Sequence, residues 1–432
     1  MNMSWSKLLL LSIFCNLGMS YAQVTDSCGW IGKQLPAWEK GELDIHLINT
    51  GRGETNFMIL PDGTTLMVDA GELILTDPRT WSVRNTSPKP DGSRYAYEWT
   101  VYYLNKILPS AHKKIDYALI THFHDDHYGS VGEGSQSSRK GNYLLSGITG
   151  VGEFLPIGKI VDRGYPEYKE PYDVAYCLSG KSDTVEYFTF KNYLRFIEWH
   201  RQHQGMEAES FKVGSSKQFV LKYAPEDYPE FSIRNLHVNG VIWDGIREDG
   251  KINTFPDTTV FKAQENCLSA GIRIDYGKFR FYLGGDIPGY AALGTPKWND
   301  VASAVAPVIG RVDVAVMNHH GGRDALSEKL ISTLAPRVWL QHVWSSDQPG
   351  LETFYRVRSS WLYEGERDLF STNLLQPLQD VAGPDLKNSY ESCNGHIVLR
   401  VQPDGRYTVF VLDSDTPEMK IKGVWNYCAS HK

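Results

Sequence analysis

The six residues His122-Phe123-His124-Asp125-Asp126-His127 constrain this chain more than any other stretch. They follow Ile115-Asp116-Tyr117-Ala118-Leu119-Ile120-Thr121, an apolar segment rich in strand formers, so the histidines begin where a buried strand ends and a loop starts. Three imidazoles and two carboxylates at such a point read as a metal cage. Histidine ligands on a helix would be spaced i and i+4; His122 and His124 are two apart, which extended or tightly turned backbone can aim at one point. Asp126 and His127 are then free to aim at a second point beside it. Neutral imidazole together with carboxylate suits zinc or another first-row divalent ion. The plain alternative is a solvated polar turn, but comparable histidine density recurs only at His319-His320.

Two further strand exits carry matching groups. Phe57 to Leu60, the turn Pro61-Asp62-Gly63 and Thr64 to Val68 read as a hairpin ending at Asp69-Ala70-Gly71. Gly271 to Asp275, the turn Tyr276-Gly277-Lys278 and Phe279 to Leu283 repeat that layout and end at Gly284-Gly285-Asp286. The two segments read as pseudo-repeated halves, and a carboxylate at Asp286 can bridge two ions. Val312 to Asn318 is another buried-strand pattern, leading into His319-His320-Gly321-Gly322. A third hairpin, Ile397 to Val401 and Tyr407 to Leu412, delivers no acid and is expected to complete a sheet edge. Chemistry gathered at strand ends along one edge is the logic of open α/β sites.

At 432 residues the chain can bury a large core. Residues 1–22 stand apart: Lys7, the apolar run Leu8 to Leu17 and Ser20-Tyr21-Ala22 have the layout of a signal peptide, which predicts export to the periplasm or the medium after cleavage near Ala22. Loss of Lys7 takes the formal charge from −7 to −8. An acidic surface is a poor grip for long nucleic acid, whose binding depends on neutralising many phosphates. No later stretch reaches the roughly 18 apolar residues of a membrane span. The cysteines Cys28, Cys177, Cys267, Cys393 and Cys428 form no C-x-x-C pair, so cysteine-ligated zinc is not expected.

The set His-x-His-x-Asp-His, Asp69, Asp286 and His319-His320 resembles that of the metallo-β-lactamase superfamily. Within it, Asn49-Thr50-Gly51-Arg52-Gly53-Glu54, Asp69-Ala70-Gly71, Asn266 to Ser269, Gly285-Asp286 and His319-His320-Gly321 are most similar to the branch holding the hydrolase domain of DNA-uptake competence proteins and the phosphorylcholine esterases. The likeness covers roughly Gly41 to Trp344. It implies an α/β fold, an αββα four-layer sandwich, with a large insertion at about 130–260 between the histidine motif and the bridging aspartate. The hydrolase domain would run over 23–345, and 346–432 would add a C-terminal segment with a hairpin completing the same sandwich.

The resemblance also implies two divalent ions, Zn2+ first and Mn2+ as the alternative. His122 and His124 would hold one; Asp126, His127 and His320 the other; Asp286 would bridge both. His319 would stabilise a developing oxyanion, and Asp69 would orient a ligand or the water, so that Asp126, Asp69 and His319 are the catalytic candidates. The implied activity is an exported phosphodiesterase or phosphoesterase using a metal-bridging hydroxide on a small-molecule or cell-envelope phosphoester. A lactone or amide hydrolase, and a metal-stabilised binding protein without turnover, are the alternatives. Two positions depart from the superfamily pattern. Where lactamases and lactonases carry an H-x-P-G-H element this chain has Gln264-Glu265-Asn266-Cys267-Leu268-Ser269, and where competence-type loops have Gln-Gly-Asp it has Arg52-Gly53-Glu54. The ion held by His122 and His124 is therefore expected to be the weaker one.

Among the other candidates, His46 reads as strand packing and His342 as a lesser candidate for the pocket. Arg52, Arg163, Tyr165 and Arg323 are candidates for touching an anionic substrate, with a structural role the equal alternative.

Overall fold

Strict alternation of apolar side chains with side chains that are again apolar dominates the strands, and it dictates sheets buried on both faces. The computed structural model describes residues 29–110, 112–175, 184–256, 263–290 and 296–430. The segment read as a signal peptide, with Cys28 and Cys177, lies outside the described residues.

The strands in chain order are β1 (Leu43–Leu47), β2 (Asn56–Ile59), β3 (Thr65–Val68), β4 (Ile115–Leu119), β5 (Ile157–Asp162), β6 (Glu207–Ser210), β7 (Phe231–Val238), β8 (Val241–Trp243), β9 (Lys251–Asn253), β10 (Gly271–Tyr276), β11 (Phe279–Leu283), β12 (Val314–Val316), β13 (Val338–Gln341), β14 (Asp368–Ser371), β15 (Tyr390–Ser392), β16 (His396–Val401), β17 (Arg406–Leu412) and β18 (Ile421–Cys428). They form two nine-stranded mixed sheets, ordered β18-β17-β16-β1-β2-β3-β4-β5-β6 and β15-β14-β13-β12-β11-β10-β7-β8-β9. The main helices are α1 (Ala96–Ile107), α2 (Asp125–Tyr128), α3 (Gly147–Phe154), α4 (Val185–Gln204), α5 (Val301–Ile309), α6 (Glu328–Leu334) and α7 (Leu351–Arg358).

Three apolar cores separate four layers. Between the sheets lie Ile45, Met58, Leu66, Leu119, Ile272, Phe281, Val314, Leu340 and Val409. Their neighbours along the same strands point the other way: Phe57, Met67 and Ala118 meet Tyr97, Leu104, Ile148 and Phe196 from α1, α3 and α4. On the far side Tyr282, Ala315 and Trp339 meet Val301, Val305, Leu330 and Phe354 from α5, α6 and α7. Each large side chain so buried contributes about 1.5–3 kcal/mol of transfer free energy. The order is helices, sheet, sheet, helices: the αββα sandwich.

The pseudo-repeat is real in topology. The antiparallel pair β2-β3 leads into the parallel strands β4, β5 and β6, and the antiparallel pair β10-β11 leads into the parallel strands β12, β13, β14 and β15. The third hairpin, β16-β17, joins the first sheet through β1, and the edge itself is β18. The described residues between 130 and 256 give β5 and β6 to the first sheet and β7, β8 and β9 to the second. Helix α4 starts at Val185 because Thr184 accepts a hydrogen bond from the Tyr187 N–H and caps it.

Candidate metal centre

Four strand exits converge on one edge of the sandwich. β3 delivers Asp69, β4 delivers the histidine run, β11 delivers Asp286, and β12 delivers His319 and His320. The loops are held in unusual backbone. Asp69, His319 and His320 have φ of 62°, 47° and 52°, a left-handed region costly for side chains other than glycine. Such strain persists where surrounding structure enforces it, and it is a mark of functional sites. Gly53 shows how tight the packing is: a Cβ there would lie 2.1 Å from the Asp126 carbonyl oxygen.

One atom of each of Asp126, His127, Asp286 and His320 falls within 4.8 Å of the others, and all four residues are buried. His127 Nε2 is 3.2 Å and His320 Nε2 3.5 Å from Asp286 Oδ2, while His320 Nε2 is 3.2 Å from Asp126 Oδ2. His127 Nε2 and Asp286 Oδ1 are nevertheless buried without a hydrogen-bond partner. Orphaned polar atoms are rare in folded proteins and call for an ion or water. Burial alone would raise the carboxylic acids, but the charges of His127 and His320 reverse this and hold Asp286 well below the usual carboxylate range. Asp126, buried beside the same two histidines, is held low in the same way. The donor set of two imidazoles and two carboxylates fits a divalent ion.

His127 is oriented from behind. Its Nδ1 lies 2.8 Å from Asp69 Oδ2, and Asp69 in turn accepts from the Thr121 N–H at 2.8 Å and the Thr121 hydroxyl at 2.7 Å. This is the carboxylate-histidine arrangement that fixes the tautomer of a metal ligand. The Gln341 side chain donates to the His320 carbonyl at 2.6 Å, steadying the second histidine.

His122 and His124 sit next to this cluster but are less firmly built in. His122 Nε2 is 3.1 Å from His124 Nδ1 and 3.9 Å from Asp286 Oδ2. Burial, aided by His127 and His124, pushes His122 well below the ordinary histidine range. Of the two residues at the departed H-x-P-G-H position, Glu265 is already paired, whereas Asn266 Oδ1 is buried without a hydrogen-bond partner. Glu265 accepts from Arg163 Nε at 2.7 Å, Arg163 Nη2 at 2.8 Å and the Phe123 N–H at 2.9 Å. Asn266 Nδ2 lies 3.0 Å from His319 Nε2.

His319 stands half-exposed at the rim. Its Nδ1 is 2.7 Å from Asp324 Oδ1, and its Nε2 is 4.0 Å from Asp286 Oδ2. His342 stays behind the cluster, its Nε2 3.0 Å from Asn56 Oδ1, and His46 pairs with the Tyr103 hydroxyl at 2.9 Å. Of the arginines weighed for an anion, Arg163 is committed to Glu265, whereas Arg52 lies beside the centre, pairing with Asp125 at 3.1 Å. Thr121 and Asp324 are supporting residues that the sequence reading did not single out, and the pairing of Arg163 with Glu265 was not anticipated. Only Asp324, five residues after His319, sat where local spacing could have exposed it.

No protein family model matches the chain, and no curated protein matches it. Among solved structures, the chain is similar to the metallo-β-lactamase fold protein YhfI from Bacillus subtilis: 10% identity, 82% of this chain and 95% of that one covered, TM-score 0.30. That overlay is loose. What the structure itself has is the αββα order of layers and a gathering of histidines and aspartates from paired halves at one edge of the sandwich, as the resemblance of the motifs implies.

Proposed function

We propose that this chain is an exported metal-dependent phosphoesterase, with Asp126, His127, Asp286 and His320 holding one divalent ion and His122, His124 and Asp286 a second. The observation that carries the reading is the buried four-residue cluster with its orphaned His127 Nε2 and Asp286 Oδ1. When bound, divalent ions supply Lewis-acid polarisation of an ester oxygen and activate water near neutral pH, with zinc the expected metal and manganese the alternative.

The chain's own residues do the rest. Asp69, fixed by Thr121, holds His127 in the tautomer that presents Nε2 to the cluster. His319, steadied by Asp324, keeps its Nε2 near Asp286, where a protonated ring can donate to an oxygen of the leaving group. The likeness of motifs to the competence-protein and phosphorylcholine-esterase branch supports a phosphoester over a lactone, as does the absence of the H-x-P-G-H histidine.

Purified protein should hydrolyse bis-p-nitrophenyl phosphate or a phosphorylcholine ester, lose activity to a chelator and regain it with Zn2+ or Mn2+. Metal-restored turnover of a lactone with none of any phosphoester would move the reading to carboxylic derivatives. Absence of turnover on both would leave a metal-stabilised binding protein.

A further inference from the structure

Strand β6, at the edge of the first sheet, and β8 and β9, at the edge of the second, border a cavity of about 650 Å³. Ser210 lines it from the first sheet and Val241 from the second, and the buried side chains of Phe211, Val213, Val238 and Phe255 complete an apolar surface. Sites for small organic ligands span roughly 300–1,000 Å³, so the volume suits such a group.

The cavity lies at the same edge of the sandwich as the metal centre. β4, β5 and β6 run parallel, so the ends of β5 at Asp162 and of β6 at Ser210 point the same way as the end of β4, which leads to His122. β7 is antiparallel to β10 and β10 to β11, so the end of β7 at Val238 comes to the edge that carries Asp286. Arg163 joins the two places. It lines the cavity, and its Nε and Nη2 donate to Glu265 at 2.7 and 2.8 Å. Glu265 also accepts the N–H of Phe123, the residue between His122 and His124, at 2.9 Å. The Asn239 side chain, at the turn between β7 and β8, donates to the Arg163 carbonyl at 2.8 Å and holds that backbone in place. The cavity therefore meets the His122 half of the centre across this ion pair.

The charge of the lining decides what fits. Arg163 is neutralised by Glu265, and the other described charged residues of the lining, Glu167, Glu170, Lys169 and Lys251, are exposed and balance in sign. An ionic ligand would lose water here without gaining a buried counter-charge. An apolar group gains about 25 cal/mol for each Å² it removes from water. We propose that this cavity receives the organic group of the substrate and selects phosphoesters in which that group is bulky, uncharged and mainly apolar. Holding a part of the substrate that does not react supplies binding energy for the part that does. The role in substrate choice rests on the phosphoesterase reading, whereas uptake of an apolar ligand does not.

The test is fluorescence titration of the neutral probe N-phenyl-1-naphthylamine into purified full-length wild type, Val241→Trp and Ser210→Trp, with metal content and the unfolding midpoint measured on each. The wild type should bind the probe, and each tryptophan, filling the cavity from an opposite wall, should weaken binding about tenfold or more at unchanged metal content. In the wild type the probe should also raise the KM for bis-p-nitrophenyl phosphate and leave kcat unaltered. No probe binding by the wild type, or equal affinity in all three proteins, overturns the cavity as a ligand site. If one variant fails to fold, the other decides. Binding that the tryptophans weaken, in a protein whose phosphoester KM the probe does not change, overturns the role in substrate choice. The same binding in a protein that hydrolyses no phosphoester keeps the ligand site and sinks the proposed function.

Discussion

His122 and His127 leave the same strand exit five positions apart and meet different surroundings. His127 is gripped from behind by Asp69 at 2.8 Å and faces two carboxylates, with His320 completing the set from the opposite sheet. His122 has the Thr121 hydroxyl at 3.1 Å behind it, His124 Nδ1 at 3.1 Å in front, and its nearest carboxylate, Asp286, at 3.9 Å. The residue that could have joined them, Glu265, is spent on Arg163 and the Phe123 N–H. One half of the centre draws its ligands from both sheets and has an orienting carboxylate. The other takes both of its histidines from one loop and has only Asp286, 3.9 Å from His122, from the opposite sheet. The difference teaches that an identical motif does not fix metal affinity; the groups behind and opposite the motif do.

The comparison can be broken most forcefully at the residue both halves share. Asp286→Ala should lower ion content at both half-sites and bring phosphoester turnover to the level of the chelated protein, read by elemental analysis and assay. Retention of one tightly held ion would show that the halves are independent. Asp69→Asn should weaken metal at the His127 half by about 10–100-fold, the usual effect of removing a ligand's orienting partner, and leave the His122 half untouched. Equal loss at both would put the asymmetry elsewhere.

Arg163→Met tests the weak half. Leaving Glu265 unpaired against an apolar neighbour should cost about 3 kcal/mol of stability by denaturant unfolding. The same change frees a carboxylate beside His124, so added Zn2+ should bind the weak half more tightly and recover part of that loss. A variant with unaltered stability and metal affinity would mean that the pair does not set the asymmetry. The smallest effect is expected for Asn266→Ala, which removes one polar contact to His319. It should change turnover by about 1 kcal/mol, roughly fivefold, without altering metal content.

Much of this was legible in the chain. Apolar strands, Asp-Gly turns and clusters at strand exits could be read locally, because sheet periodicity and turn chemistry are local, whereas the four layers were implied by the resemblance of the motifs. The grouping of Asp126, His127, Asp286 and His320 followed from the same exits. What stayed hidden were partners chosen by distance through space. Thr121 reads as the last residue of a strand, yet it anchors Asp69 through two hydrogen bonds. Glu265 and Arg163, separated by 102 positions, gave no sign of each other in sequence. The stretch near 130–260 reads as an insertion because its composition differs; that strands within it pair into both sheets was not legible, because strand pairing is non-local.

The unequal centre is tested most directly by stepwise titration of Zn2+ into chelator-stripped protein, with bound metal counted at each step. Two ions should bind, the second about tenfold or more weaker than the first, a gap of roughly 1.4 kcal/mol, and Asp69→Asn should erase the tight phase alone. Two ions bound with equal affinity, or no bound metal at all, would contradict the account.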